Sequence, residues 1–411
     1  MATYRQWLEE LHPPEGILRN TQKQGRETLS KTGLPTKNLE PWRLTDLKRL
    51  EKLLHLPIFK VSKKTSNIDH QTWANKPSNG LRIVLDPTNE QTLTTELYPG
   101  IHQLSSEELR KHLDHDYQAV SQDNQWPLAI NHATTNQILA LRVRGQNLPV
   151  IELILPAQKN SLTPTRVLIL LEDATKLQLL QVALGSGHSA HSHLTEIHLG
   201  KQAKLDHGFI ALGGGEASCL ANLFIQQDTH SNYSLTTIQH GWSLSRLEPQ
   251  IIQLHGRSQT EIKGLQISTE EQQLATHSLV NFQGPDGTLK QLQKAIACKK
   301  SHSIFNGIIQ VPQIAQKTNA SQLSRNLLLS NRARIDTKPE LEIIADDVRC
   351  AHGATVSQLQ EDELFYLRSR GINSNQATYL LLQGYCKEII DSLPSPANEW
   401  GILNAILSSV G

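Results

Sequence analysis

From about residue 126 to 349 the chain breaks into short runs in which apolar and polar positions alternate, among them residues 137–143, 150–155, 166–171, 177–182 and 194–199. A period of two over runs of this length is that of a β-strand with one face turned inward. Small-x-apolar triplets recur through the same stretch. They are Thr175-Lys176-Leu177, Ala203-Lys204-Leu205, Ser231-Asn232-Tyr233 and Thr260-Glu261-Ile262, and their last residues step by 28, 28 and 29. A fixed step without intervening helical patterning predicts a solenoid of stacked parallel strands, with a right-handed parallel β-helix as the favoured form. The competing all-β arrangement, a pair of sandwiches, needs tight hairpins. Asn-Gly, the strongest hairpin signal, occurs only at Asn79-Gly80 and Asn306-Gly307.

Both flanks carry helical spacing instead. Trp7, Leu8 and Leu11, then Leu44, Leu47, Leu50, Leu53 and Leu54, interrupted by Pro13-Pro14 and Gly33-Leu34-Pro35, predict a small helical head. Residues 57–125 are mixed, with one strand-like piece at 81–85 and one helix-like piece at 106–113. After about residue 357, Leu364, Phe365 and Leu367, then Ala377, Leu380, Leu381, Tyr385, Ile389 and Ile390, return to helical turns. Ser374 is the expected N-cap, and Pro394 and Pro396 set off a last helix over residues 399–410. The expected division is therefore a helical and mixed region over 1–125, a β-helix over 126–356 and a helical region over 357–411. Solenoid ends need covering, so helices at both termini are expected to cap it.

A chain of 411 residues exceeds what one core usually sustains. Lys and Arg number 40 against 39 Asp and Glu, and no basic run is dense enough to neutralise several phosphates, which argues against a nucleic-acid partner. The four cysteines, Cys219, Cys298, Cys350 and Cys386, form no Cys-x-x-Cys and suit a reducing compartment. With neither a leader-like N-terminus nor a spanning apolar run, the expectation is a soluble cytoplasmic protein, or a stromal one if a transit peptide has been removed.

Cys350-Ala351-His352 is the sharpest chemical feature. On an extended segment residues i and i+2 share a face, roughly 6 to 7 Å apart, so a thiol and an imidazole would be presented together. Thiolate is the soft ligand of iron–sulfur chemistry and can carry sulfane sulfur as a persulfide; neutral imidazole can ligate iron. Two donors fall short of a roughly four-ligand shell, and the nearest others, Asp346 and Asp347, are hard carboxylates. The missing ligands would come from another chain. The alternative is a buried cysteine beside a hydrogen-bonded histidine. His191 and His193, in a Ser/Gly-rich run within a chain of 18 histidines, could bind zinc or copper but read better as a solvated loop. Gly213-Gly214-Gly215 reads as a turn, and without Gly-x-x-x-x-Gly-Lys-Ser/Thr the chain has no ATP site of the P-loop type. Asp206, Asp228, Glu248 and Glu261 share no spacing, which weakens the competing function class of a carbohydrate-active β-helix enzyme. A third class is a stand-alone metal-binding or adhesion solenoid.

Three blocks resemble the SufB/SufD family of iron–sulfur cluster assembly scaffolds. The first is Leu34-Pro35 with Glu40-Pro41-Trp42-Arg43-Leu44-Thr45, similar to the family's Glu-x-Trp-Arg-Tyr-Thr in the helical head, with Leu44 where Tyr is usual. The second is His302-Ser303-Ile304-Phe305-Asn306-Gly307 with residues 326–330. The third joins residues 338–343 to Asp346-Asp347-Val348-Arg349-Cys350-Ala351-His352-Gly353-Ala354-Thr355 and residues 364–372. Cys-x-His-Gly-Ala-Thr is the SufD-like form, here with Ala351 in place of the usual Ser, whereas SufB-like chains carry Cys-Glu-His-Glu-Ala. The resemblance implies a right-handed parallel β-helix between helical regions. It further implies a non-catalytic scaffold subunit that pairs with SufB through the β-helix, or forms a homodimer when isolated, and binds the SufC ATPase through its C-terminal helices. It places a nascent Fe–S cluster at the SufB interface, with His352 as iron ligand or proton donor and Cys350 as auxiliary ligand or sulfur acceptor, and it implies reduced flavin at the level of the complex.

Overall fold

The computed structural model describes residues 2–58, 80–85, 96–113 and 126–410. Much of the mixed stretch before residue 126, Asn79 of the first Asn-Gly included, lies outside them. The protein is a parallel β-solenoid of about eight turns with helices at both termini. Each turn gives one strand to each of two sheets. One sheet runs β4 (Leu139–Val143), β6 (Leu162–Leu171), β8 (Ala190–Leu199), β10 (Ser218–Gln227), β12 (Leu244–Gln253), β14 (Gln273–Phe282), β16 (His302–Val311) and β18 (Arg334–Ile343). The other runs β5 (Ile151–Pro156), β7 (Lys176–Leu184), β9 (Lys204–Leu212), β11 (Asn232–His240), β13 (Gln259–Ser268), β15 (Thr288–Ala297), β17 (Asn319–Leu328) and β19 (Arg349–Ser357). Short strands β1 (Leu81–Val84), β2 (Glu96–Tyr98) and β3 (Ile101–Gln103) extend the sheets at the first turn.

Stacking of like on like explains the alternation. Ile169, Ile197, Ile225, Ile251, Val280 and Ile309 occupy one inward column, each fully buried, and each such side chain contributes about 1.5–3 kcal/mol on burial. The corner before every odd strand from β7 to β17 holds a residue of positive φ two positions upstream: Ala174, Gln202, His230, Arg257, Asp286 and Lys317. The chain turns the same way each time. Three of the four repeat triplets stack as expected, Leu177 on Leu205 on Tyr233. The fourth does not: Tyr233 pairs with Thr260, and Ile262 stacks on Leu235. That turn is one residue shorter than its predecessors and puts Thr at the position where the triplet expects an apolar residue. Asn306-Gly307 lies inside β16 and makes no hairpin.

The head packs on the outer face of the even-numbered sheet. Helices α1 (Ala2–Glu9), α2 (Arg19–Thr32) and α3 (Leu47–Lys52) join α5 (Trp126–Thr134), while α4 (Ser106–Leu113) sits nearer β4 and β6. Within the Glu40-Pro41-Trp42-Arg43 motif, Trp42 is fully buried, meets the Trp126 ring edge-on at 6.0 Å and carries the Arg246 guanidinium over its face at 4.1 Å. Arg246 also donates to Pro41 O at 2.9 Å. This motif clamps the head to β12.

At the other terminus lie α6 (Glu361–Ser369), α7 (Ser374–Ile390) and α8 (Ile402–Val410). Asn373 caps α7, its side chain accepting from Gln376 N, so the cap stands one residue before the expected Ser374. The C-terminal helices do not cover the solenoid's end. α7 and α8 lie across the outer face of the odd-numbered sheet, where Leu180, Val182, Ile210, Ile238 and Leu265 meet Leu382, Ile389, Trp400 and Ile406. That apolar outer face matches the helices' own stripe, and β18 and β19 remain the terminal strands of their sheets.

Candidate functional site at the open end

Cys350 and His352 both lie on β19. Register extends two inward columns to them. Cys350 ends the column of Leu177, Leu205, Tyr233, Thr260, Leu289 and Ala320. His352 ends the one holding Leu179, His207, Leu235, Ile262, Gln291 and Gln322. The two side chains therefore belong to the lumen, on one face, as the i, i+2 spacing requires. Because no turn among the described residues stacks above, His352 is exposed and Cys350 only partly buried against the core. Burial pushes the Cys350 thiol up, a shift partly offset by a backbone hydrogen bond involving Ala320. Its sulfur therefore rests as a thiol, the less nucleophilic form. Asp346 and Asp347 precede β19 in the loop: Asp346 accepts from Gln313 Nε2 at 3.0 Å, and the Asp347 backbone is bound by Gln316 and Lys317. Among the described residues no group of three or more His, Cys, Asp or Glu stands ready to hold a metal ion.

His191 and His193 are not in a loop. They lie on β8, fully buried in the lumen with His207. Hydrogen bonds link the neutral rings into one chain, which leaves His191 Nδ1 without a partner among the described residues. Tyr233 OH donates to His207 Nδ1 (2.9 Å), His207 Nε2 to Gln181 Oε1 (2.8 Å) and Gln181 Nε2 to Thr195 Oγ1 (2.9 Å). Thr195 Oγ1 lies 2.7 Å from His193 Nε2 and can donate there or to Gln181 Oε1 at 3.2 Å, while Thr165 Oγ1 lies 2.7 Å from His193 Nδ1 and 2.9 Å from His191 Nε2. Burial holds His191 and His207 down to about 3 and His193 well below its ordinary value. The Ser/Gly flanks suggested a loop because polar residues inside a solenoid break the rule that reads polarity as exposure. Each ring is hydrogen-bonded to a neighbouring side chain, and among the described residues they join no metal-holding group.

The four carboxylates of the enzyme alternative are only partly brought together. Glu248 is buried against Arg246, and Asp228 binds the Thr229 backbone at 2.6 Å. Asp206 and Glu261 share a column two strands apart on the outer wall. They line an open groove of about 590 Å³ with Lys176, Lys204 and Lys290, and Glu261 is ion-paired to Lys263 at 3.2 Å. Tyr233 is buried behind the groove. Gly213-Gly214-Gly215 falls between β9 and β10, as a turn. Among the described residues no helix is long and apolar enough to cross a membrane.

Among the described residues the β-solenoid ends in two strand edges with no further strand beside them, and a thiol and an imidazole stand at its mouth as a candidate end-on site. Residues 154–385, more than half of the chain, match the family model for the SufBD core domain of the SUF system of FeS cluster assembly. The chain belongs to the SufBD family of iron–sulfur cluster assembly proteins and is SufD-like. It is 43% identical to an iron–sulfur cluster assembly SufBD family protein of Synechocystis, over 49% of this chain and 44% of that one. To the chloroplastic protein ABCI7 of Arabidopsis thaliana it is 34% identical, over 56% and 49%. Those matches span about half the length of each relative. Iron–sulfur cluster assembly protein SufD of Escherichia coli aligns over 99% of this chain and 96% of its own length at 26% identity.

Proposed function

We propose that this chain is the SufD-like scaffold subunit of a SufBCD complex, a non-catalytic partner that pairs with SufB through the open end and docks the SufC ATPase through its C-terminal helices. The observation that carries this reading is the unfinished last turn. β18 and β19 offer unpaired backbone edges beside a two-donor set that cannot complete a cluster's shell. A second β-solenoid meeting those edges would supply the rest. The nascent Fe–S cluster is then cargo held between chains, with His352 its ligand or proton donor from this side and Cys350, resting as a thiol, an auxiliary ligand or sulfur acceptor. An exposed chain of the same kind could also pair with itself when SufB is absent. Exposed apolar side chains on α6 and α7, Phe365, Tyr366, Tyr379 and Leu380, support the C-terminal helices as the ATPase dock. Reduced flavin, if the complex holds it, is assigned to no residue here. The setting is the cytosol, or the stroma in a plastid.

The test is His352→Ala in the co-expressed complex. SufB and SufC should still co-purify while the visible absorbance of a built cluster is lost. Normal cluster yield from that variant refutes the assignment.

A further inference from the structure

Beneath His352 the lumen holds a ladder of amides. Ser278, Gly307 and Pro339 form an inward column of the even-numbered sheet, across from Gln291, Gln322 and His352 in the other. Gln291 Nε2 donates to Ser278 Oγ at 2.8 Å, and Gln322 Nε2 donates to Gln291 Oε1 at 2.8 Å. A Cβ on Gly307 would stand 2.3 Å from Gln322 Nε2, so glycine there leaves the room that the amide fills. Gln322 is 2% exposed, yet its Oε1 has no hydrogen-bond partner among the described residues. Such a carbonyl is costly to leave unmade. One layer above, at a strand spacing of about 4.8 Å, stands His352. Across the lumen Pro339 has no backbone N–H to give.

We propose that Gln322 is a positioning residue whose Oε1, unpartnered in this structure, accepts one ring N–H of His352 when that ring turns down over it, holding the imidazole in one tautomer with the lone pair of its other nitrogen turned out of the open end. This inference rests on His352 acting through that lone pair, as proposed above. Histidines that ligate metals commonly donate their second ring N–H to a carbonyl or carboxylate, which fixes tautomer and ring orientation. Here the acceptor is itself fixed by Gln291 and by the space at Gly307.

The experiment uses the full chain labelled with ¹⁵N-histidine, the His352 ring being assigned by its loss in His352→Ala. Long-range ¹H–¹⁵N spectra at about pH 8, where an unperturbed imidazole is neutral, should show one dominant tautomer in the parent chain. Gln322→Met, which keeps the volume and removes the carbonyl, should give a mixture. Gly307→Ala, which displaces the amide without deleting it, should move the ratio the same way and serves if Gln322→Met does not fold. In the co-expressed complex, Gln322→Met should lower cluster yield about tenfold, the low end for such supporting residues. Tautomer populations identical in the parent and both variants overturn the positioning role whatever the cluster yield. A shifted tautomer alongside unchanged yield in both Gln322→Met and His352→Ala upholds the positioning and sinks the functional reading on which it rests.

Discussion

Acid should destabilise this solenoid from the inside, well before its carboxylates protonate. His191 and His207 are fully buried and neutral, held down to about 3 chiefly by desolvation. In the unfolded chain each titrates near 6.5. Their folded values are depressed, so their contribution is fully present above about 6.5 and is lost progressively as pH falls towards about 3. Each costs about 1.4 kcal/mol per pH unit in that window. At pH 4.5 the two together remove roughly 5 kcal/mol, and His132, His193 and His277, lowered by burial as well, act in the same direction. With an m-value of about 3 kcal/mol/M, the urea midpoint should fall by at least about 1.5 M between pH 7.5 and 4.5. Replacing Tyr233 by Phe and His207 by Leu together removes one titrating ring and its donor, and should flatten the slope by about one proton. A midpoint constant from pH 7.5 to 5, or a slope unchanged in the double variant, would refute the burial of these histidines as neutral rings.

Three further outcomes follow from the packing. Trp42→Ala should cost about 3–5 kcal/mol for the cavity and about 1–2 more for the lost Arg246 contact; limited proteolysis should then clip the head while the β-rich circular dichroism persists, and an intact head would contradict the clamp. Cys219, Cys298 and Cys386 are pushed up to about 12, 11 and 12 by burial, so iodoacetamide on the native chain at neutral pH should label Cys350 alone, slowly, and all four in denaturant; comparable native labelling of Cys219 would count against the sealed lumen. Phe365 and Tyr366 are 71% and 58% exposed, so Phe365→Ser with Tyr366→Ser should change stability by under about 0.5 kcal/mol each while abolishing recovery of SufC; undiminished recovery moves the dock elsewhere. Point variants serve better here than removal of residues 374–411, because α7 and α8 cover the apolar outer face of the odd-numbered sheet.

The solenoid was legible in the chain because its core is a set of columns, and columns of Leu and Ile leave both alternation and a repeat. Register was legible only where the triplet stayed apolar. At Thr260 the stacked position turns polar and the turn shortens, so the pattern jumped to Ile262, two residues along. The column through Leu289 and Ala320 to Cys350 carries Gln291 and Gln322, the column neighbours of His352, one i+2 step away. The histidines of β8 escaped for a different reason. Their burial is offset by a hydrogen-bond chain drawn from five strands, β6, β7, β8, β9 and β11, and nothing local to Ser189 or Ser192 encodes it.

His207 and His352 occupy the same column of the same sheet, five strand pairings apart. One is sealed between layers, neutral and bound at both nitrogens; the other is exposed because nothing stacks above it. The difference in chemistry is made by the next turn, not by the residue. A partner that hydrogen-bonds to the edges of β18 and β19 necessarily lies over the lumen's mouth, and in continuing the stack it would desolvate His352 as the solenoid desolvates His207. On the proposed function, the docking event that brings in the missing ligands would thus also cover His352 as the next turn covers His207.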